Sequence, residues 1–208
     1  MSIRAVAWDV DGTLVDSEPL HHRALLAGSA AFGVDLSDLP DEAFRGIHMG
    51  EVWKILRPRL PETLGEEQWL ATINRHYVDH RHELAVVPGA VETIRRLAEM
   101  GLQQVCVSNS GRVIVDANLD AIAVTEHIAF SISLDDVLRG KPDPWPYSDA
   151  CRRLGIAPSS VLAVEDSLTG IASAVAAGLP CAAIGFDSGK GYVGVSLLGE
   201  LVGMVSGK

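Results

Sequence analysis

Two aspartates two positions apart, Asp9 and Asp11, close an apolar run of Ile3, Ala5, Val6, Ala7 and Trp8, and Gly12-Thr13 follows at once. An apolar run of this length ending in a turn reads as a buried strand, which puts both carboxylates at its carboxyl end. In an open α/β sheet that edge is where ligands bind. A core gains nothing from charge there, and desolvating two adjacent carboxylates is costly unless a cation compensates them. A hard cation such as Mg²⁺, which prefers oxygen ligands, is the natural compensator.

Three more polar groups stand in comparable places. Ser108-Asn109-Ser110 follows the apolar Val105-Cys106-Val107, Gly140-Lys141-Pro142-Asp143-Pro144 precedes a helix, and Glu165-Asp166-Ser167 follows the apolar residues 161–164. Singly, each has a plain explanation: a turn, a solvated lysine, a helix N-cap at Ser167. Together, at successive strand ends, they point to one site.

Stepwise alternation of strand and helix would bring these groups to one edge. Strands are predicted at residues 3–9, 104–108, 128–133, 161–165 and 181–186. Helices are predicted at 91–100, 112–120, 144–154 and 168–177, with Gly101, Gly155 and Gly178 as stops. This pattern predicts an α/β fold with a doubly wound, Rossmann-like parallel sheet. Between residues 18 and 84 only helical periodicity is present: helices at 18–32 (ended by Gly33), 41–45, 50–60 and 66–84. The last carries Trp69, Ile73, Tyr77, His80 and Leu84 on one face. Such an insert is too long for a loop. The predicted organisation is a Rossmann-like core, residues 1–16 and 87–208, with a small helical cap, residues 17–86, inserted after the first strand and standing over the strand ends.

Composition narrows the class. The chain has 208 residues, 48% of them hydrophobic, enough for one core and a small accessory domain. Its formal net charge of -10 argues against nucleic acid and anionic membranes as partners. Cys106, Cys151 and Cys181, odd in number and in apolar contexts, read as reduced thiols of a cytoplasmic protein. No signal-peptide pattern opens the chain, and the apolar stretch at residues 170–185 is broken by Gly178-Leu179-Pro180. Nothing in the sequence specifies an oligomeric state. Residues 185–191, GFDSGKG, fail as a phosphate-binding P-loop because Ile184 and Gly191 stand where Gly and Ser or Thr are needed.

In order and spacing, the strand-end groups resemble the haloacid-dehalogenase-like hydrolase superfamily. Asp9-Val10-Asp11-Gly12-Thr13 resembles its first motif, Ser108 its second, Lys141 its third and Glu165-Asp166 its fourth, and the insert sits where that superfamily places its alpha-helical cap. Glu165-Asp166-Ser167-Leu168-Thr169-Gly170, running on to Ala176-Ala177-Gly178, is similar to the branch containing β-phosphoglucomutase and small sugar-phosphate phosphatases. The resemblance implies a Mg²⁺-dependent phosphatase that hydrolyses a small phosphorylated metabolite, a sugar phosphate or sugar-acid phosphate, through an aspartyl phosphate. It makes Asp9 the nucleophile and Asp11 the general acid and base. It gives Mg²⁺ to Asp9, the Asp11 backbone carbonyl and Asp166, with Glu165 nearby. Ser108, Lys141 and the loop at Asn109 would hold the phosphate.

The same resemblance puts Arg45-Gly46-Ile47-His48-Met49 on the cap loop that reads the substrate, with Arg45 and His48 as its contacts and His21 toward the same cleft. The remaining cap histidines read as solvated helix residues. A phosphosugar mutase would share the core residues. Met49 and Asp79 stand where the mutase pattern carries an arginine and a lysine, which favours the hydrolase. A dehalogenase would lack an aspartate at position 11. A catalytically silent binding protein on the same fold is the non-enzyme alternative, and the intact set of core residues argues against it.

Overall fold

The predicted central strands carry unbroken apolar runs whose side chains point alternately to two faces, and both faces are covered. In the computed structural model, which describes residues 2–40 and 42–206, β1 (Ala5–Trp8), β4 (Gln103–Val107), β5 (Ser131–Ile132), β6 (Val161–Glu165), β7 (Cys181–Ile184) and β8 (Tyr192–Val195) form one sheet. Its order is β5-β4-β1-β6-β7-β8, and all its pairings are parallel. The chain leaves β1 toward β4 and β5, then returns to β6 on the other side of β1. That reversal is the switch point at which α/β sheets bind ligands.

Register ties the site to the pleat. Trp8 is level with Cys106 on one side and Val164 on the other. Val6, Trp8, Cys106, Leu162 and Val164 face a cluster completed by helices α4 (Ala90–Glu99) and α5 (Arg112–Ala121). Ala5, Ala7, Val105, Val107, Val161 and Ala163 face the other layer, α6 (Trp145–Leu154) and α7 (Leu168–Ala176). Glu165 continues the parity of Val161 and Ala163, so its carboxylate enters the α6 side. The indole of Trp8 is buried and donates to Gln104 Oε1 at 3.0 Å, while Gln104 Nε2 donates to the Ile94 carbonyl at 2.9 Å. The core amide is thereby satisfied rather than merely tolerated.

The chain divides into two compact units, one of Met1–Asp16 with Ala85–Lys208 and one of Ser17–Leu84. In the first, β2 (Val15–Asp16) and β3 (Ala85–Val86) pair antiparallel as a short ribbon. In the second, α1 (Glu18–Ala30) packs on α3 (Glu66–Asp79). A side chain at Gly28 would overlap Ile73, so glycine sets their approach, and Trp69 Nε1 donates to Ser29 Oγ at 3.0 Å across it. Among the described residues no helix is long and apolar enough to cross a membrane. The three cysteines are free and buried, and burial pushes the Cys151 thiol up to about 11.

Several sequence expectations are corrected. The helix expected at 41–45 is a series of turns over residues 42–46, with Asp41 outside the described residues. Gly46, in the left-handed region at φ 69°, breaks it. The helices expected to reach 60 and 84 end at α2 (Met49–Leu56) and at Asp79 of α3, each followed by one 3₁₀ turn, Arg57–Arg59 and Arg81–Glu83. Pro58 fits only the first turn of such a segment. The strand expected over 128–133 is regular only at Ser131–Ile132, with Ala129 and Phe130 adding single backbone bonds to β4. The β2–β3 ribbon, β8 and the closing helix α8 (Leu201–Ser206) were not expected from the sequence.

Candidate active site

Asp9, Ser108 and Glu165 sit at the ends of strands whose register is fixed by their neighbours. Asp9 follows β1 and donates its amide to the Val164 carbonyl at 2.9 Å, and Ser108 follows β4 and donates its amide to the Ile132 carbonyl at 2.9 Å. Glu165 ends β6, and Lys141 lies in the segment between β5 and α6. Asp9 and Lys141 are each 7% exposed and Glu165 is fully buried, so their charges are compensated by protein groups rather than by bulk water.

Lys141 Nζ donates to Asp9 Oδ1 at 2.7 Å and to Glu165 Oε1 at 2.6 Å. The Tyr147 hydroxyl, from α6, donates to the same Glu165 oxygen at 2.5 Å. Tyr147 was not singled out by sequence; its position in an amphipathic helix looks like core. Burial pushes its phenol well above the usual range, and Glu165 adds to that. Burial would depress Lys141, but Asp9 and Glu165 outweigh it and hold the ammonium protonated. Burial also pushes the Asp9 carboxyl up to about 7, with Lys141 opposing and Glu165 adding. Asp166 is likewise pushed up to about 7, by burial first and then by Asp9. One ammonium therefore faces more negative charge than it can neutralise.

A hard divalent cation fits that imbalance. Asp9, Glu165 and Asp166 each offer a carboxylate oxygen, all within 4.8 Å of one another, and Asp9 Oδ2 is buried without a hydrogen-bond partner. The donor set is oxygen alone, as such an ion requires. The Asp11 carboxylate is not part of this group. Its Oδ2 accepts from Ser108 Oγ at 3.1 Å and from Ser110 Oγ at 2.8 Å, and its Oδ1 accepts from Asn118 Nδ2 at 3.0 Å. Any part of Asp11 in holding a metal thus falls to its backbone carbonyl.

Asn109 ties its loop to the Lys141 segment. Its Oδ1 accepts from the Lys141 amide at 2.8 Å and its Nδ2 donates to the Lys141 carbonyl at 2.9 Å. The side chain clamps the Lys141 backbone at both its amide and its carbonyl. In the helical unit, Arg45 and His48 are exposed. His48 caps α2, its Nδ1 accepting from the Gly50 amide at 3.1 Å. The His21 ring packs on Tyr77 at 4.5 Å between centroids.

Two glycines give the carboxylates their room. A β-carbon at Gly12, whose φ of +82° already disfavours one, would overlap Asp166, and a β-carbon at Gly170 would overlap Glu165. In an exposed helix Gly→Ala stabilises by about 1 kcal/mol. At Gly170 the sign reverses, because Glu165 is pinned by Lys141 and Tyr147 and cannot swing aside. Gly170→Ala is expected to destabilise by roughly 2–4 kcal/mol in urea unfolding. Gly199→Ala, where the new carbon meets no atom within 4 Å, should stay within about 0.5 kcal/mol of the parent. Equal midpoints for the two variants would refute the packing argument.

Known proteins share this sequence and fold along nearly their whole length. The haloacid dehalogenase-like hydrolase family profile matches residues 3–178. A phosphoglycolate phosphatase of Yersinia pestis is 32% identical over 199 residues, covering 92% of this chain and 84% of that protein. The crystal structure of CbbY from Rhodobacter sphaeroides in complex with phosphate superposes with a TM-score of 0.85 at 28% identity, covering 96% of each chain. A putative beta-phosphoglucomutase from Thermotoga maritima shares the fold at a TM-score of 0.79 and 22% identity, covering 99% of each chain. With its strand-end carboxylates and lysine in the order of that family's motifs, the chain belongs to the haloacid dehalogenase-like hydrolases.

Proposed function

We propose that this protein is a Mg²⁺-dependent phosphatase of a small phosphorylated metabolite, a sugar phosphate or sugar-acid phosphate. The observation that carries the reading is the juxtaposition of Asp9, bonded to the buried ammonium of Lys141, with Asp11, bonded to Ser108. A buried carboxylate beside a cation, a second carboxylate and a hydroxyl are what in-line phosphoryl transfer needs. A carboxylate oxygen of Asp9 forms a bond to phosphorus as the ester P–O bond breaks, and Asp11 gives the leaving oxygen a proton. Asp11 then takes a proton from water, whose oxygen bonds to phosphorus and releases Asp9 and inorganic phosphate. Lys141 and Ser108 steady the phosphoryl oxygens.

Asp9, Asp166 and the Asp11 backbone carbonyl would hold Mg²⁺, with Glu165 alongside. When bound, the ion neutralises the phosphoryl group so that an anionic carboxylate can approach it. A phosphoglycolate phosphatase and a phosphate-bound CbbY among the similar proteins support the substrate class. The three free, buried thiols support a reducing compartment, the cytoplasm.

Phosphate release from a panel of small esters, including phosphoglycolate and sugar phosphates, tests the reading. Turnover is expected with Mg²⁺, lost with EDTA, restored by Mg²⁺ and poorly restored by Ca²⁺, which tolerates longer bonds and higher coordination. We assign choice among esters to the helical unit, through Arg45, His48 and His21. Across the same panel, Arg45→Ala and His48→Ala should alter the preferred ester while sparing a small aryl phosphate. No release from any ester, or full activity in chelator, would overturn the phosphatase. Conversion of β-glucose 1-phosphate, with a bisphosphate primer, to glucose 6-phosphate faster than phosphate release would replace it by a mutase.

A further inference from the structure

Asn118 stands where an apolar residue is expected. It lies in the middle of α5, fully buried, on the face that also carries Ile114, Val115, Leu119 and Ile122. Asparagine is a weak helix former, and a buried amide is unfavourable unless it is hydrogen-bonded. Its Nδ2 reaches Asp11 Oδ1, 107 positions away in sequence, at 3.0 Å. Ser110 Oγ meets the other oxygen, Oδ2, at 2.8 Å, so one donor holds each end of the carboxylate.

Ser108 is the third donor, and it has a conflict. Its hydroxyl carries one proton, which goes to Asp11 Oδ2 at 3.1 Å, while its oxygen accepts from the Ser110 amide at 2.9 Å. Under the phosphatase reading, on which this inference rests, Ser108 donates to a phosphoryl oxygen. It cannot do both at once. When substrate binds, Asp11 loses this bond and keeps the other two. We infer that Asn118 and Ser110 are positioning residues for Asp11, holding its carboxylate in line with the leaving oxygen when Ser108 turns to the phosphoryl group.

The test separates acid placement from general damage. The ratio kcat/KM reports steps up to the first phosphoryl transfer. An alkoxide leaving group needs the Asp11 proton there, and p-nitrophenolate does not. Asn118→Leu is close in size and suits the apolar face; Ser110→Ala removes a hydroxyl at a partly exposed site. Each is assayed with Mg²⁺ on the best alkyl phosphate of the panel and on p-nitrophenyl phosphate. The expected result is a loss of about 10- to 100-fold in kcat/KM on the alkyl ester, carried by kcat with KM little changed. On the aryl ester the loss stays within about 3-fold. Equal loss on both esters, or loss on neither, overturns the inference. Should Asn118→Leu not fold, Ser110→Ala decides by the same comparison. A parent protein inactive on every ester would overturn the phosphatase reading instead. The crystal structure of the folded variant then decides the inference, which requires the Asp11 carboxylate to leave its observed position and is refuted if it stays.

Discussion

Asp9→Asn is expected to leave a folded protein whose turnover falls on the order of 10³-fold or more on every ester of the panel. The amide oxygen is too weak a nucleophile to form the phosphoryl bond. It can still accept from Lys141 Nζ, which now sits 2.7 Å from Asp9 Oδ1, so the packing around it survives. Stability should hold or rise. Burial pushes the Asp9 carboxyl from 3.8 up to about 7, so the cost of ionising it in the fold builds between those two pH values and is full above about 7. At pH 8 the unfolded chain carries the ionised carboxylate without penalty, whereas the fold must bear it; asparagine removes the difference. Thermal unfolding at pH 8 without metal should therefore give a midpoint at or above that of the parent. Residual activity within 10-fold of the parent, in a protein with that midpoint, would remove Asp9 from the nucleophile's place.

Much of this site was legible because short apolar strands end in charge. The runs before Asp9, Ser108 and Glu165 are continuous apolar strands buried on both faces, so the polar residues that end them had to be functional or paired. Their partners were harder to see. Asn118, Ser110 and Tyr147 bond to residues 107, 99 and 18 positions away, and no local pattern reveals such a contact. Asn118 did leave a signal, an amide in the apolar row of a helix, and Gly170 left another, a glycine in the first turn of a helix beside Glu165. The bonds of Asn109 to the Lys141 backbone were hidden for the same reason: 32 positions separate the two residues. The edge strand Tyr192–Val195 was hidden by the glycines around it, which suit a loop as well as a bulged edge.

Lys141→Met should be strongly destabilising to the unit that carries the candidate site. It removes the ammonium and leaves Asp9 and Glu165 buried, with the Tyr147 hydroxyl on Glu165 as the strong donor that remains. Removing one partner of a buried ion pair costs about 3–5 kcal/mol, because the charge left behind has neither water nor a counterion. The change is read as a fall in the urea midpoint at pH 8 without metal. Activity should be lost with it, since the phosphoryl group loses the cation that steadies it. Two comparisons show whether charge is the cause. Lys141→Met with Glu165→Gln should recover part of the stability, because the second change removes a charge that the first had stranded. Mg²⁺ should narrow the gap to the parent, because binding to the folded state alone stabilises it and the variant site carries one more unneutralised charge. A variant within about 1 kcal/mol of the parent in the absence of metal would mean that Asp9 and Glu165 are compensated by something other than Lys141. A gap unchanged by Mg²⁺ would separate the ammonium from the metal's own work, so that the carboxylates gathered around Asp9 would not be sharing one excess of charge between the two cations.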